Sequence, residues 1–291
     1  MTGLSIIVCT FNRSAQLVEL LDSICRSPPR GEFEVIVVDN NCSDDTASQV
    51  CSHALSPRLV REPRQGLSHA RNCGVAAATH QNLLFLDDDA LVPLGYFDRL
   101  AAVLEEQSPD LFGGPVTPLF ERIPPDWFPP ELETRRYAEV AGFSQTATLS
   151  GGNFGIRGDV LKRLGPFDTG LGMSGTTLAF GEDREMVERY RRLIPGPQQR
   201  LYYDPALCVQ HRVGAEKMSK AYQLRRSYQT ARSREQVFIA TGVRSAARSR
   251  VLAVGRKHGV LRGACPVRSV LARSVRPRVF ERRQAAFRKL R

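Results

Sequence analysis

Residues 4–9 (Leu-Ser-Ile-Ile-Val-Cys) are apolar at every position but one and run into the polar stretch Thr10-Phe11-Asn12-Arg13-Ser14. A short apolar run closed by turn formers reads as a strand covered on both faces, as in a parallel sheet packed between helices. The period then changes. Leu17, Leu20, Leu21 and Ile24 recur at spacings of three and four, one stripe of a helix that Asn12 or Ser14 can cap and that runs to about Cys25. Residues 33–38 form a second apolar run, and the Asp, Asn and Ser cluster at 39–46 closes it and opens a helix near Asp44. Residues 59–60 give a short third strand, Gly66 opens a helix to about residue 78, and Leu83-Leu84-Phe85-Leu86 is a fourth strand. Strands alternating with helices at this spacing imply an α/β fold with a right-handed, mostly parallel sheet.

Further along, 93–106 has helical spacing and 111–116 reads as extended. Residues 118–130, rich in proline and aromatics (Phe120, Trp127, Phe128), read as an irregular excursion over the surface. A glycine loop, Gly151-Gly152-Asn153-Phe154-Gly155, precedes a short helix at 159–164, a glycine-spaced segment at 165–181, a helix at 182–193 and a strand at 207–211. On the 182–193 helix, Asp183 shares a stripe with Met186, Val187 and Tyr190, whereas Glu182 shares one with Glu185, Arg189 and Arg192. The period therefore places Asp183 inward and Glu182 outward. No internal repeat is visible.

Charge divides the chain. The net +11 combines residues 1–211, where 27 acidic residues outweigh 19 Lys and Arg, with residues 212–291, where 22 Lys and Arg face three acidic residues. From Arg212 on, Tyr222, Leu224, Tyr228, Val237, Phe238, Ile239, Val251, Leu252, Leu261, Val270 and Leu271 are interleaved with arginine, a pattern of amphipathic helices with basic faces. Only this part calls for an anionic partner, and an anionic inner-leaflet membrane surface suits it. Its few aromatics do not suit nucleic acid, which is not an expected partner. The seven cysteines (Cys9, Cys25, Cys42, Cys51, Cys73, Cys208, Cys265) are odd in number and never spaced C-x-x-C, the usage of free thiols in a reducing cytoplasm. No run is long and apolar enough to span a bilayer, and a strand pattern beginning at residue 4 leaves no room for a signal peptide. The expected location is cytoplasmic, peripheral to the inner face of the membrane.

The chemistry gathers at strand ends. Asp87-Asp88-Asp89 follow the fourth strand directly, and strand alternation puts Asp87 and Asp89 on one face with Asp88 on the other. Two ionised carboxylates on one face repel by about 2–3 kcal/mol at an effective dielectric near 20, so the pair calls for a hard divalent cation. Thr10 to Arg13, Asp39 and the acidic triplet all fall at the carboxyl ends of strands, where open α/β sheets bind ligands.

Taken together, T-F-N-R at 10–13, V-D-N-N-C-S-D-D-T at 38–46, G-L-S-H-A-R-N at 66–72, L-D-D-D at 86–89, G-G-N-F at 151–154, G-E-D at 181–183 and His211 resemble, in order and spacing, glycosyltransferase family 2. The resemblance spans about residues 4–212. It implies a single GT-A domain, Rossmann-like, over 1–212, with a nucleotide-binding half to about 116 and an acceptor-binding half over 117–212, followed by a basic, mainly helical extension over 213–291. It also implies an enzyme that moves a sugar, with inversion, from a nucleoside-diphosphate sugar to a hydroxyl of a glycan or lipid-linked acceptor in surface polysaccharide synthesis. By the same resemblance Thr10, Asn12, Arg13, Asp39, Arg71, Asp87 and Asp88 hold the donor. Asp89, with His211 as a more distant contact, holds Mn2+ or Mg2+. Asp183 is the base, and Gly152, Asn153 and Glu182 meet the acceptor. Trp127 offers an aromatic face on which an acceptor sugar can stack.

Two other classes share parts of this pattern. A metal-dependent phosphoryl-transfer enzyme or nuclease could use the acidic triplet, with the basic tail on nucleic acid. A nucleotide-sugar-binding protein without catalysis would need the donor residues and have no use for Asp183.

Overall fold

The computed structural model describes residues 3–242. The basic segment from 243 on, with Val251, Leu252, Leu261, Val270 and Leu271, lies outside the described residues. In chain order the first half comprises β1 (Leu4–Thr10), α1 (Ser14–Arg26), β2 (Phe33–Asp39), α2 (Thr46–Ser52), β3 (Arg58–Arg61), α3 (Leu67–Ala77), β4 (Asn82–Asp87), β5 (Ala90–Leu91) and α4 (Tyr96–Gln107). The second half comprises β6 (Leu111–Gly113), β7 (Val116–Phe120), β8 (Gly142–Phe143), β9 (Asn153–Arg157), α5 (Gly158–Leu164), α6 (Glu182–Leu193), β10 (Leu201–Tyr203), β11 (Val209–Val213) and α7 (Lys220–Thr241).

Among the described residues, β3-β2-β1-β4-β9-β6-β10-β8 make one sheet and β5-β11-β7 a smaller one. The pairs among β1 to β4 are parallel, while β9 runs antiparallel to both β4 and β6. Alternation along the central strands explains why both faces are covered. Ile6, Val8, Leu84 and Leu86 pack with the buried sides of α1 and α4, and Ile7, Leu83 and Phe85 pack with α5 and α6 on the other face. The α/β class expected from the strand–helix alternation is the one observed, with a mixed, mainly parallel sheet.

Several local expectations change. The extended stretch at 111–116 is two strands in two sheets, split at Gly114-Pro115. A Cβ at Gly114 would collide with the carbonyl oxygens of Leu207 and Asp204, so the absence of a side chain lets the chain change sheets there. The excursion begins after Phe120, because β7 first pairs in parallel with β11, Pro118 opposite His211. Asn153 to Gly155, read as loop, are the start of β9. The three residues of β10 were too short a run to announce a strand. Neither Asn12 nor Ser14 caps α1 with its side chain; the Ser14 N–H donates to Asp44 Oδ2 at 3.0 Å, a cap from thirty residues away.

Gly155 sits mid-strand between β4 and β6, and a Cβ there would enter the Phe112 ring. Gly155→Val should lower the unfolding free energy by about 1–3 kcal/mol through overpacking, read by urea denaturation; an unchanged midpoint would show that the Phe112 ring can move aside.

Candidate active site

Register brings the predicted residues to one edge. Thr10 lies opposite Asp39 and Cys9 opposite Asp87, so the first, second and fourth strands end in one row. Leu86 lies opposite Asn153, which sets the Gly151-Gly152 turn beside Asp87. A Cβ on Gly152 would stand 2.5 Å from Asp87 Oδ2, and one on Gly151 would collide with the Arg71 guanidinium. Both positions exclude any side chain, because a carboxylate and a guanidinium fill the space.

The acidic triplet does not follow strand alternation. β4 ends at Asp87, and Asp88 and Asp89 form a turn, so these two face the same partner rather than opposite sides. Arg13 Nη1 donates to Asp88 Oδ1 at 2.9 Å and to Asp89 Oδ2 at 3.2 Å. Thr10 Oγ1 donates to Asp88 Oδ2 at 2.9 Å. Asp87 points the other way, 3.8 Å from Arg71, and keeps 44% of its side chain open. Burial pushes Asp88 up to about 6, against the pull of Arg13. Burial would raise Asp89 as well, but His211, Lys217 and Arg13 together hold it far below the usual carboxylate range. Asp88 in turn pushes Arg13 upward, so the guanidinium stays charged.

His211 reaches this cluster through the small sheet. β11 pairs antiparallel with β5, His211 opposite Ala90, and the Arg212 N–H donates to the Asp89 carbonyl at 2.9 Å. His211 Nδ1 then lies 3.0 Å from Asp89 Oδ1, and Nε2 faces Lys217. Lys217, from the turn before α7, places Nζ 3.1 Å from Asp89 Oδ2, 3.4 Å from His211 Nε2 and 3.2 Å from the Arg212 carbonyl oxygen. Behind His211, the buried Glu133 accepts from Gln223 Nε2 at 3.1 Å and from Arg226 through Oε1, while Oε2 accepts no hydrogen bond and lies 4.0 Å from His211 Nε2.

Among the described residues no cluster of three or more His, Cys, Asp or Glu side chains forms a metal cage. What Asp89, His211 and the Arg212 carbonyl share is one point, and an ammonium stands on it. A donor set of that kind, already occupied by a cation, fits a divalent ion that takes its remaining positions from phosphate and water.

On the opposite side of Arg71 lies the start of α6. Arg71 Nη1 donates to Glu182 Oε1 at 2.7 Å, both side chains buried. Burial disfavours charge on each, but Glu182 and Asp87 outweigh it for Arg71, which ends above its ordinary value and stays ionised. Glu182 is therefore the inward residue of the two, contrary to the helical stripe: at the first position of α6 it faces Arg71 rather than the outer surface. Asp183 is half-buried, accepting from the Gly151 N–H at 2.8 Å through Oδ2 and from the Arg184 N–H at 2.6 Å through Oδ1.

The remaining predicted residues divide. Asp39 is buried and accepts from the Cys42 N–H at 2.6 Å; Asn12, in the left-handed region with φ 53°, accepts from the Ser43 N–H at 2.7 Å. Asn153 differs from the loop residue expected: it is fully buried, with Oδ1 accepting from Tyr96 and Nδ2 donating to the Leu207 and Pro115 carbonyls, so its amide bridges the strands instead of facing outward. Trp127 belongs to a satellite cluster with Phe128, Val213 and Met218; it is half-buried, with Lys220 over its ring.

Three contributors escaped the reading of the sequence. Asn40 ties the loop after β2 to the loop after β3, donating to the Glu62 and Arg64 carbonyls and accepting from the Gly66 N–H. Lys217 and Glu133 carry no local signal: one is a lysine in a basic stretch, the other a glutamate in a proline-rich segment.

Comparison with known proteins shows the family and the fold. Residues 5–165 match the family model described as "Glycosyl transferase family 2". A "PGL/p-HBAD biosynthesis glycosyltransferase" of Mycobacterium tuberculosis is 40% identical over 118 residues, 38% of this chain and 46% of that protein, so the match spans about half the length of that curated relative. Among solved structures, a Pyrobaculum calidifontis mannosyltransferase in complex with GDP-Man and Mn2+ superposes with a TM-score of 0.58 at 22% identity, covering 92% of this chain and 78% of that one. S. aureus TarS 1-349 in complex with UDP-GlcNAc gives 0.59 at 20% identity, covering 88% and 72%. At these identities the two structures speak for the GT-A fold.

Two outcomes follow from the charges. Arg71→Ala would leave the Glu182 carboxylate buried without its partner and should cost about 3–5 kcal/mol in urea denaturation, whereas Glu182→Gln, which can still accept from Arg71, should cost less; equal losses would deny the ion pair its role. Glu62 is held at about 2, below its ordinary 4.5, by the Arg64 guanidinium and backbone. Its stabilisation is present above pH 4.5 and is lost as pH falls toward about 2. The stability difference between the unaltered protein and Glu62→Gln should shrink across that window in acid titrations of the melting temperature, and a constant difference would contradict the shift.

Proposed function

The chain belongs to glycosyltransferase family 2, and on that footing we propose that it is an inverting, metal-dependent glycosyltransferase. It transfers a sugar from a nucleoside-diphosphate sugar to a hydroxyl of a glycan or lipid-linked acceptor in surface polysaccharide or glycolipid synthesis. The observation that carries the reading is the single row of strand ends at which Asp88 and Asp89 meet Arg13 and Asp87 approaches Arg71, with Asp183 joined to it through the Gly151-Gly152 turn.

In this reading the loops after β1 and β2, with Thr10, Asn12, Arg13 and Asp39, hold the nucleoside, and Asp87, open to the cleft, meets ribose or donor sugar. Asp183 takes the proton from the acceptor hydroxyl. The oxygen then bonds to the anomeric carbon while the bond from that carbon to the diphosphate breaks on the opposite face, and the configuration inverts. The Gly151 and Arg184 N–H groups fix the carboxylate of Asp183 for that task. Glu182 holds Arg71 in place, and Arg71 and Arg13 supply fixed positive charge as negative charge grows on the departing diphosphate. Asp89 and His211 would hold Mn2+ or Mg2+, which when bound contributes Lewis-acid stabilisation of the leaving group. The acceptor would lie over Gly152 and the half-exposed Trp127. Residues 1–212 form the catalytic unit, and the basic extension over 213–291 would hold the enzyme to an anionic membrane; no described helix is long and apolar enough to cross one.

A thermal-shift panel of nucleoside-diphosphate sugars with Mn2+ identifies the donor. With that donor, Asp183→Asn should lower transfer by roughly 10^2- to 10^4-fold while donor binding by calorimetry stays near that of the unaltered protein; full turnover in the variant would remove Asp183 as base. Flotation of the full chain with liposomes containing and lacking anionic lipid checks the membrane reading, which fails if the protein stays at the bottom of both gradients.

A further inference from the structure

The cation position at Asp89 and His211 is already filled from within the chain. Lys217 Nζ makes three contacts there, with Asp89 Oδ2, His211 Nε2 and the Arg212 carbonyl oxygen, and its side chain is only 15% exposed. Asp89 is buried, and behind His211 the buried Glu133, paired with Arg226 and 3.9 Å from Arg135, has its Oε2 4.0 Å from the same imidazole nitrogen. An ammonium has three donors and no lone pair, so it can satisfy these groups but cannot ligate a metal. It also cannot share them with a divalent ion, because the two positive charges would stand against each other on the same pair of donors.

We propose that Lys217 is a built-in cation that competes with the divalent ion for Asp89 and His211 and must leave them before the metal binds. The inference rests on the reading of Asp89 and His211 as the metal donors and adds the residue that opposes loading. Without donor substrate, Lys217 shares Asp89 Oδ2 with Arg13 and sets its ammonium 3.4 Å from His211 Nε2. The ion then gains the site more readily once the diphosphate is present, because its negative charge draws the ammonium off Asp89 and attracts the divalent ion. Metal and nucleotide would therefore bind together more tightly than either does alone. The turn of residues 215–218 that carries Lys217 leads directly into α7, so the competing group belongs to the segment that begins the basic extension.

The test is Mn2+ alone, titrated without nucleotide into the full chain and followed by the paramagnetic resonance of free Mn2+. Lys217→Met, close in length and uncharged, should bind Mn2+ about tenfold or more tightly than the unaltered protein. Adding Asp89→Asn to Lys217→Met should remove that gain. Equal affinities in the unaltered protein and Lys217→Met would overturn the inference and leave the metal reading standing; no Mn2+ bound by either would overturn both. A second measurement does not depend on the variant folding: acetylation of Lys217 in the unaltered protein by a small amine-reactive ester, quantified by mass spectrometry, should rise severalfold at saturating Mn2+ with nucleoside diphosphate. Unchanged acetylation at saturation would also overturn the inference.

Discussion

Three consecutive carboxylates at the end of a buried strand are the constraint around which the molecule is arranged. Asp88 and Asp89 are almost fully withdrawn from water, and like charges at that spacing repel while each loses its hydration. The cost is offset by hydrogen-bonding and charged partners from widely separated parts of the chain. Arg13 arrives on the loop after β1, Arg71 on α3, His211 on β11 and Lys217 on the turn before α7. Removing any one leaves a buried charge short of a partner, so the arrangement of two sheets and the docking of α7 are coupled to the electrostatics of one cleft.

Arg71 links the two sides of that cleft. It is buried, lies under Gly151, pairs with Glu182 and approaches Asp87, so the start of α6 and the end of β4 are held at a set separation by one guanidinium. The two glycines are the complement of this arrangement: a side chain at either would displace Arg71 or Asp87. Asn153, one residue further, braces the far side of the same turn by bridging Tyr96 to the Leu207 and Pro115 carbonyls. The turn is thereby held from below and behind, leaving its Gly151 N–H to orient Asp183.

The two sides of the cleft therefore differ in chemical character. At the acidic triplet, Arg13, Lys217 and Arg71 crowd carboxylates of which two are buried. At α6, Asp183 is half-exposed, and its carboxylate is held by two backbone N–H groups instead of by side-chain cations. The family match over residues 5–165 and the GT-A fold of the structural relatives set both environments in a glycosyltransferase family 2 scaffold.

Much of this was legible from residues alone. Period-two and period-3.6 patterns announced β1, β2, β4 and the helices between them, because those segments are covered on both faces or present one apolar stripe. Turn chemistry put Thr10, Asp39 and the triplet at strand ends, and the order of motifs announced the family. What could not be read were contacts between segments far apart in sequence. The end of β4 at Asp87 overrode alternation and paired Asp88 with Asp89, since Arg13 draws both to one side. Register buried Asn153, and packing covered the side of α6 that carries Glu182 and Glu185, where Glu182 meets Arg71. Lys217 and Glu133 became part of the site because β11 and α7 carry them there. Local spacing governs which face of an element is apolar, but the partner of a charge depends on where other elements pack, and that is a property of the folded chain.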